Sequence, residues 1–218
     1  NLLLSKVSVT IPSQGIACVH NLMLGSFSLI NSGVDSIVNG QREPRYTPYH
    51  IRHRTEVAGF MTILHGDDRI YNNIFVQHYP VTDPERQPTD AQYERAGTLP
   101  FDIFPEFVEW NSHFMWGEEP DMGALGTYHF GHLPAWVEGN AYFNGATVSR
   151  HEKNGLTVTD EKAETALTEK AGKLYLNTNV MELLGEFRTA MICTETLGKA
   201  FEPEQRFENP DGTDITFD

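Results

Sequence analysis

Hydrophobic and polar residues along this chain form short apolar or alternating segments, a pattern typical of β-strands. The clearest of these segments are residues 6–12, 15–25, 69–76, 133–145 and 172–180. Most are rich in β-branched and aromatic residues, which favour the pleated surface of a sheet. The pattern therefore predicts an all-β fold.

Asparagine recurs just before or inside four of the predicted strands. The positions are Asn21, Asn72 with Asn73, Asn140, and Asn177 with Asn179. Asparagine tolerates the left-handed corner between two strands, and its amide can bond to an asparagine in the next layer. The pattern indicates a parallel β-helix, with a β-sandwich whose turns carry asparagine as an equal alternative.

The uneven spacing of these asparagines requires long inserted loops, because regular repeats span only ~20–45 residues. Residues 32–55 and 79–126 are predicted to be such loops, and the second contains an aromatic block at residues 99–117. Residues 160–173 combine alanines with opposite charges four positions apart, which predicts a surface helix. We expect residues 1–218 to form a single domain.

Composition and charge narrow the classes of partner. The chain has 218 residues and a formal net charge of −14. Such acidity argues against nucleic acid or an anionic membrane, because both require basic patches. A neutral substrate, a small cationic substrate and a homo-oligomer stay open. The two distant cysteines, Cys18 and Cys193, are consistent with a reducing compartment, so we expect a cytoplasmic protein.

Histidine pairs are present but do not predict a metal centre. His50 and His53 have His-x-x-His spacing, as do His129 and His132. A structural zinc ion needs four ligands, and the cysteines are not spaced to supply the other two. No phosphate-binding loop or nucleophile elbow occurs either. We therefore expect neither a metal nor a cofactor.

Carboxylates are the stronger candidates for chemistry. Residues 35–69 mix acids, arginines, histidines and tyrosines. Glu56 is followed at once by apolar "VAGF". Partial desolvation at such a strand edge would raise the pKa of its carboxyl and suit a general acid. The alternative is that Glu56 forms a structural salt bridge with Arg54 or Arg69. Composition alone favours this salt bridge over a role as general acid.

One long block of the sequence is distinctive. Residues 46–76, "YTPYHIRHRTEVAGFMTILHGDDRIYNNIFV", together with "HNLMLGSF", "LPAWVEGNAYFNGA" and "FENPDGT", resemble the family 120 glycoside hydrolases. These are bacterial β-xylosidases. The resemblance extends over about residues 15–218, and it is weakest in residues 79–126 and 160–173.

The resemblance implies a right-handed parallel β-helix. In the family, a β-sandwich module forms one wall of the active site, and no segment of this sequence corresponds to it. The first residues also have the pattern of a strand interior. We therefore expect the chain to be a C-terminal fragment of a longer enzyme, with the missing N-terminal part as its partner and a xylo-oligosaccharide as its substrate.

The resemblance also implies a reaction and the residues that perform it. The family is exo-acting and retaining, with an aspartate nucleophile and a glutamate acid/base whose carboxyls must lie ~5–5.5 Å apart. In the family the nucleophile precedes the acid/base by about one rung of the β-helix, and Asp35 and Glu56 fit this order and this spacing along the sequence. The alternative nucleophile is Asp67 or Asp68.

The remaining candidates are residues for binding and positioning. Asp67 and Arg69 are expected to orient Glu56 or the sugar-binding groups. The candidates for sugar contacts are His50, His53, Arg54, Trp110 and Trp116. Two other functions stay open: a non-catalytic β-helix domain that binds carbohydrate or acts as a scaffold, and a polysaccharide lyase. Net charge disfavours the lyase, because lyases that act on uronates need a basic cleft.

Overall fold

The protein is all-β, as a computed structural model of residues 1–83 and 93–216 shows. Its first eleven strands precede the longest insertion. They are β1 (Leu2–Leu3), β2 (Val7–Ile11), β3 (Ala17–Val19), β4 (Leu22–Met23), β5 (Ser26–Leu29), β6 (Asp35–Val38), β7 (Gln41–Pro44), β8 (Tyr46–His50), β9 (Val57–Thr62), β10 (Asp68–Tyr71) and β11 (Ile74–Val76).

The other strands follow that insertion or lie within it, together with a few short helices. The strands are β12 (Met115–Trp116), β13 (Glu119–Pro120), β14 (Ala135–Glu138), β15 (Ala141–Phe143), β16 (Glu152–Lys153), β17 (Leu156–Val158), β18 (Thr165–Lys170) and β19 (Lys173–Thr178). The α-helices are α1 (Phe107–Ser112), α2 (Leu125–Tyr128), α3 (Val180–Leu184) and α4 (Thr194–Leu197), and 3₁₀ turns cover Leu99–Ile103 and Met122–Ala124. No helix in the described ranges is long and apolar enough to cross a membrane.

Two parallel sheets carry the core. One has the order β1-β4-β11-β15-β17 and the other β16-β14-β10-β3. Two residues separate β10 from β11, and the same is true of β3 and β4, β14 and β15, and β16 and β17. One strand of the second sheet and the strand of the first sheet that follows it along the chain are here called a layer. The layers stack in parallel register, with Ile70 opposite both Cys18 and Val137.

The two-residue corners explain the recurring asparagines. The first corner residue has positive φ in every layer: 55° at His20, 54° at Asn72, 69° at Gly139 and 54° at Asn154. Asparagine and glycine adopt this left-handed conformation at low cost. The predicted left-handed corner is confirmed at Asn72.

The second corner residue forms a ladder of buried side chains, here called the corner ladder, made of Asn21, Asn73 and Asn140. Asn21 donates from Nδ2 to Asn73 Oδ1 at 2.8 Å, and Asn73 donates to Asn140 Oδ1 at 3.0 Å. The predicted bonding between layers is thus confirmed for these three residues, but it is wrong for Asn177, which lies within β19, and for Asn179, which precedes α3. In the last layer Gly155 stands at this position, and the Glu152 carboxylate occupies the vacated space, accepting from Asn140 at 2.8 Å.

The core between the sheets contains a row of stacked aromatic rings. Phe75 lies 5.9 Å from Phe27 and 5.4 Å from Tyr142, ring centre to ring centre, with nearly parallel planes. All three are essentially inaccessible to solvent. Parallel register places Tyr142 directly beside Phe75, whereas Phe27 reaches the row from β5, because the register partner of Phe75 in β4 is Met23.

The first insertion consists of two antiparallel hairpins rather than an irregular loop. β6 pairs with β7, and β8 pairs with β9. The described parts of the second insertion, residues 79–83 and 93–126, contain both 3₁₀ turns, α1 and a small β12–β13 hairpin. Residues 84–92 of the predicted loop lie outside the described residues.

The helix predicted at residues 160–173 is wrong, because this segment runs into the β18–β19 hairpin. The two strands pair from Thr165 opposite Thr178 to Lys170 opposite Lys173. Ala171 and Gly172 form the turn with φ of 53° and 73°. Positive φ at both positions is typical of a type I′ turn, and Gly172 adopts it without strain. Cross-strand pairing outweighed the weak i,i+4 charge pairs.

Candidate functional site

Asp35 lies at the base of the β6–β7 hairpin, where it pairs with Pro44. Its carboxylate accepts a short hydrogen bond from Arg42 Nε on the opposite strand. The Arg42 guanidinium in turn lies 4.2 Å above the ring of Phe130. The hairpin is therefore anchored to the aromatic segment before β14, and Asp35 stays partly open to solvent.

Glu56 lies at the other end of the neighbouring β8–β9 hairpin, just before Val57, which pairs with His50. Its side chain is 60% exposed, and the nearest cation is Arg54 at 4.0 Å. The expected desolvation of this carboxyl is therefore absent, and the alternative salt bridge to Arg54 is long and hydrated. Arg69 bonds to other groups, described below.

The loop that carries Glu56, here called the tip loop (residues 51–56), is held by the C-terminal segment (residues 193–216). Glu208 has a side chain only 2% exposed and accepts from Arg52 at 3.1 Å and from His53 at 3.0 Å. Arg206 adds a second arginine at 3.4 Å. Gln205 also donates to the carbonyl oxygen of His50. Sequence reasoning missed Glu208, although it lies in the quoted block "FENPDGT".

Arg69 joins the start of β10 to the same C-terminal segment. Its guanidinium donates to the carbonyl oxygens of Leu197 at 2.8 Å and Lys199 at 2.9 Å, and to Asp67 Oδ1 at 2.6 Å. The rings of Trp136 and Phe207 each lie 4.7 Å from it. Its contacts with Leu197, Lys199 and Phe207 fasten the segment, and those with Asp67 and Trp136 hold the guanidinium against the stacked strands.

Asp67 and Asp68, the two residues before Arg69, are both buried, and they face different partners: Asp67 accepts from Phe201 of the C-terminal segment, and Asp68 accepts from Ile16. Burial raises the pKa of Asp67, although Arg69 and the Phe201 amide, which donates at 2.8 Å, act against it. Asp68 is fully buried, and burial raises its pKa well above the usual range. Its Oδ2 has no hydrogen-bond partner in the described part of the chain. A sugar does not reach Asp68 in this conformation, whereas Asp35 is accessible.

The tryptophan candidates occupy different environments. Trp116 is 83% exposed at the end of β12. Trp110 packs at 5.3 Å against Phe201 and shares an apolar cluster with Val34, the neighbour of Asp35, and with Phe130. Trp110 also lines a cleft of about 550 Å³, whose lining residues all lie between Ile103 and Arg150 and do not include the two hairpins.

The cleft combines aromatic and polar groups that suit a neutral sugar. Phe114 and His113 line it with Trp110, as do Glu109 and Arg150, which form an ion pair at 3.2 Å. Burial lowers the pKa of His132. Its Nδ1 lies 2.7 Å from the Leu64 carbonyl oxygen and must donate to it, so Nε2 is left as an acceptor for a hydroxyl group.

The two histidine pairs do not converge. His50 contacts the Thr55 carbonyl, His53 contacts Glu208, His129 packs against Tyr46, and His132 bonds to Leu64. Within residues 1–83 and 93–216, no three His, Cys, Asp or Glu side chains lie close enough to hold a metal ion.

These observations define the class: an all-β protein with stacked parallel sheets and accessible carboxylates on two adjacent hairpins. A particular solved structure to which the chain is similar is the complex of XylC with xylose. The match has a TM-score of 0.72 and 28% sequence identity, and it covers 100% of this chain and 30% of the XylC chain. No family model and no curated protein matches the sequence.

Proposed function

We propose that the chain is part of a retaining glycoside hydrolase of the β-xylosidase type, which releases xylose from the end of a xylo-oligosaccharide. The observation that carries the proposal is the similarity, along the whole chain, to a protein solved with xylose. Because the chain spans 30% of that protein's length, the activity of the complete protein is itself part of the proposal.

The proposal includes the finer architecture, a right-handed parallel β-helix. Four successive layers with parallel register and left-handed two-residue corners support it. In such a coil the two hairpins leave from one layer, between β5 and β10. The β-helix would therefore act as a rigid base from which Asp35 and Glu56 are presented.

The proposed reaction uses two carboxyl groups. An Asp35 oxygen forms a bond to the anomeric carbon while the glycosidic C–O bond breaks, and Glu56 gives its proton to the leaving oxygen. Water then attacks the anomeric carbon and loses a proton to Glu56, and the Asp35 ester bond breaks. This retaining chemistry needs the two carboxyls ~5–5.5 Å apart.

The binding part of the proposal places the sugar chain along the cleft at Trp110. The tryptophan offers a stacking face, and His132 Nε2 offers an acceptor. Four further residues are proposed to contact the sugar outside the Trp110 cleft: His50, His53, Arg54 and Trp116. In the complete protein, the part outside this chain would form the remaining wall of the active site. Asp67 and Arg69 are proposed to position the C-terminal segment rather than to touch the sugar.

The test is release of nitrophenol from an aryl β-xyloside, by this chain alone and by the complete gene product. We expect Asp35→Asn and Glu56→Gln each to lower kcat by about 10²–10⁴-fold, with azide restoring turnover in Glu56→Gln. Glu43→Gln is the matched control, because Glu43 is an exposed carboxylate on the same hairpin as Asp35.

Two outcomes would contradict this assignment. Full activity in Glu56→Gln would remove it as the acid/base, and an inactive Asp68→Asn beside an active Asp35→Asn would move the nucleophile to Asp68. Xylo-oligosaccharide binding without turnover in either preparation would support the non-catalytic alternative, which the high exposure of Glu56 favours.

A further inference from the structure

A cavity of about 380 Å³ lies where the ends of β10 and β14 face residues 188–192 of the chain. Tyr71 and Glu138 are register partners on these strands, so their side chains project from the same face. Gly139 also lines the cavity, and a Cβ there would come within 2.5 Å of the Asn72 amide oxygen. The volume is in the range of pockets that bind small molecules.

Two polar groups in this cavity have unused hydrogen-bonding capacity. The Tyr71 hydroxyl has no hydrogen-bond partner among the described residues, and burial raises the pKa of Tyr71 to about 12, so the group remains a donor. Glu138 accepts at Oε1 from Asn154 at 2.9 Å. Its other oxygen accepts no hydrogen bond from the described part of the protein and is available to a ligand.

Charge selects the class of ligand. Glu138 and Arg188 carry opposite charges, and both line the cavity. The exposed Arg188, which donates to the Gly185 and Phe187 carbonyl oxygens, balances the charge of Glu138, so these two residues give an ion no net electrostatic advantage over a neutral molecule. Hydroxyl groups can both donate to the carboxylate and accept from the tyrosine. Met191 and Ile192 provide an apolar wall for the C–H face of a ring.

We propose that this cavity is a second carbohydrate site, which binds a neutral monosaccharide away from the hairpin carboxylates. None of the residues assigned to catalysis or to the Trp110 cleft lines it. The site does not depend on turnover, so it can exist whether or not the chain is a hydrolase.

The test uses ¹³C-methyl methionine spectra of the chain titrated with xylose. The chain has six methionines, and Met191→Leu assigns the one that lines the cavity. We expect xylose to shift the Met191 resonance and to leave that of Met122, which is exposed on a 3₁₀ turn, unchanged. Tyr71→Phe should weaken binding about tenfold, the effect of one lost hydrogen bond.

The controls separate binding from unfolding and from charge effects. Tyr175→Phe, at a tyrosine exposed on β19, should bind as the wild type does, and all variants should keep the wild-type melting temperature. Glucuronate and glucosamine should bind more weakly than xylose. The proposal is overturned if Met191 does not shift up to about 100 mM xylose, a weak-binding limit, or if Tyr71→Phe and Glu138→Gln leave the titration unchanged.

Discussion

At the residue scale, the corner ladder shows how a single buried amide connects three layers. Asn140 is inaccessible to solvent, accepts from the backbone N–H and side chain of Asn73, and donates to the Ile70 carbonyl and to Glu152. Any replacement without an amide leaves several buried polar groups unpaired. Buried groups without partners cost far more than the net value of one hydrogen bond.

We therefore expect Asn140→Ala to lower the free energy of unfolding by about 2–4 kcal/mol, measured by urea denaturation. Asn177→Ala is the control, because Asn177 lies on the exposed β19 strand and bonds only to Thr168. Equal losses in the two variants would contradict a special role for the ladder.

Asp68 gives a second prediction at this scale. Its folded-state pKa is raised by burial, so the folded protein retains a proton that the unfolded chain loses near pH 3.9. The stabilisation from the neutral form is complete below about pH 4 and is lost as pH rises through the folded pKa. Asp68→Asn carries no charge to bury.

The free energy of unfolding of Asp68→Asn relative to wild type should therefore increase as pH rises from about 4. Denaturation curves at several pH values measure it. Asp160→Asn, at an exposed position, should show no such trend. A difference that stays constant with pH would mean that Asp68 ionises as readily in the folded protein as in the unfolded chain.

At the scale of elements, the β8–β9 hairpin depends on a partner distant in sequence. Glu208 and Gln205 hold the tip loop from the C-terminal segment, 155 positions away. Two arginines and a histidine around one nearly inaccessible carboxylate make this a fixed point rather than a surface ion pair of little value. The orientation of Glu56 is therefore set by the C-terminal segment as well as by its own hairpin.

We expect Glu208→Gln to speed hydrogen exchange at the backbone amides of residues 51–56 by about tenfold. Without the carboxylate that holds Arg52 and His53, local opening of the tip loop costs less free energy and therefore occurs more often. Mass spectrometry of peptides that cover the tip loop measures it. Glu204→Gln, on the same segment but exposed, should exchange as the wild type does. Unchanged protection in Glu208→Gln would show that the hairpin holds its own tip.

At the scale of the whole molecule, Arg69 is the point where the stacked layers and the C-terminal segment meet. It bonds to carbonyl oxygens 128 and 130 positions along the chain and lies between two aromatic rings. A planar guanidinium can donate in several directions while stacking on rings, and an ammonium group cannot.

Arg69→Lys should therefore cost about 2–4 kcal/mol of unfolding free energy despite keeping the charge. It should also make the C-terminal segment the first site of limited proteolysis. Arg54→Lys, at an exposed arginine, is the control for the substitution itself. A wild-type cleavage pattern in Arg69→Lys would show that other contacts suffice to hold the segment.

The sequence by itself determined the features that depend on neighbouring residues. Strand segments follow from local composition, and asparagines at successive strand boundaries indicate turns whose side-chain amides can bond between layers, so the all-β class and the bonding of Asn21, Asn73 and Asn140 were predictable. The prediction of a helix at residues 160–173 was wrong because, in the sequence, the turn at Ala171 and Gly172 indicates a hairpin less strongly than the repeated charge pairs indicate a helix.

Only the tertiary structure decided which charged residues are buried and what they bind. In the sequence, Asp35, Asp67 and Asp68 are equivalent acids near arginines, and nothing local separates them. The fold encloses Asp67, Asp68 and Arg69 beneath a segment that returns from more than 120 positions away, and it leaves Asp35 and Glu56 accessible. Burial and long-range partners arise from how layers and segments pack, which no local pattern encodes.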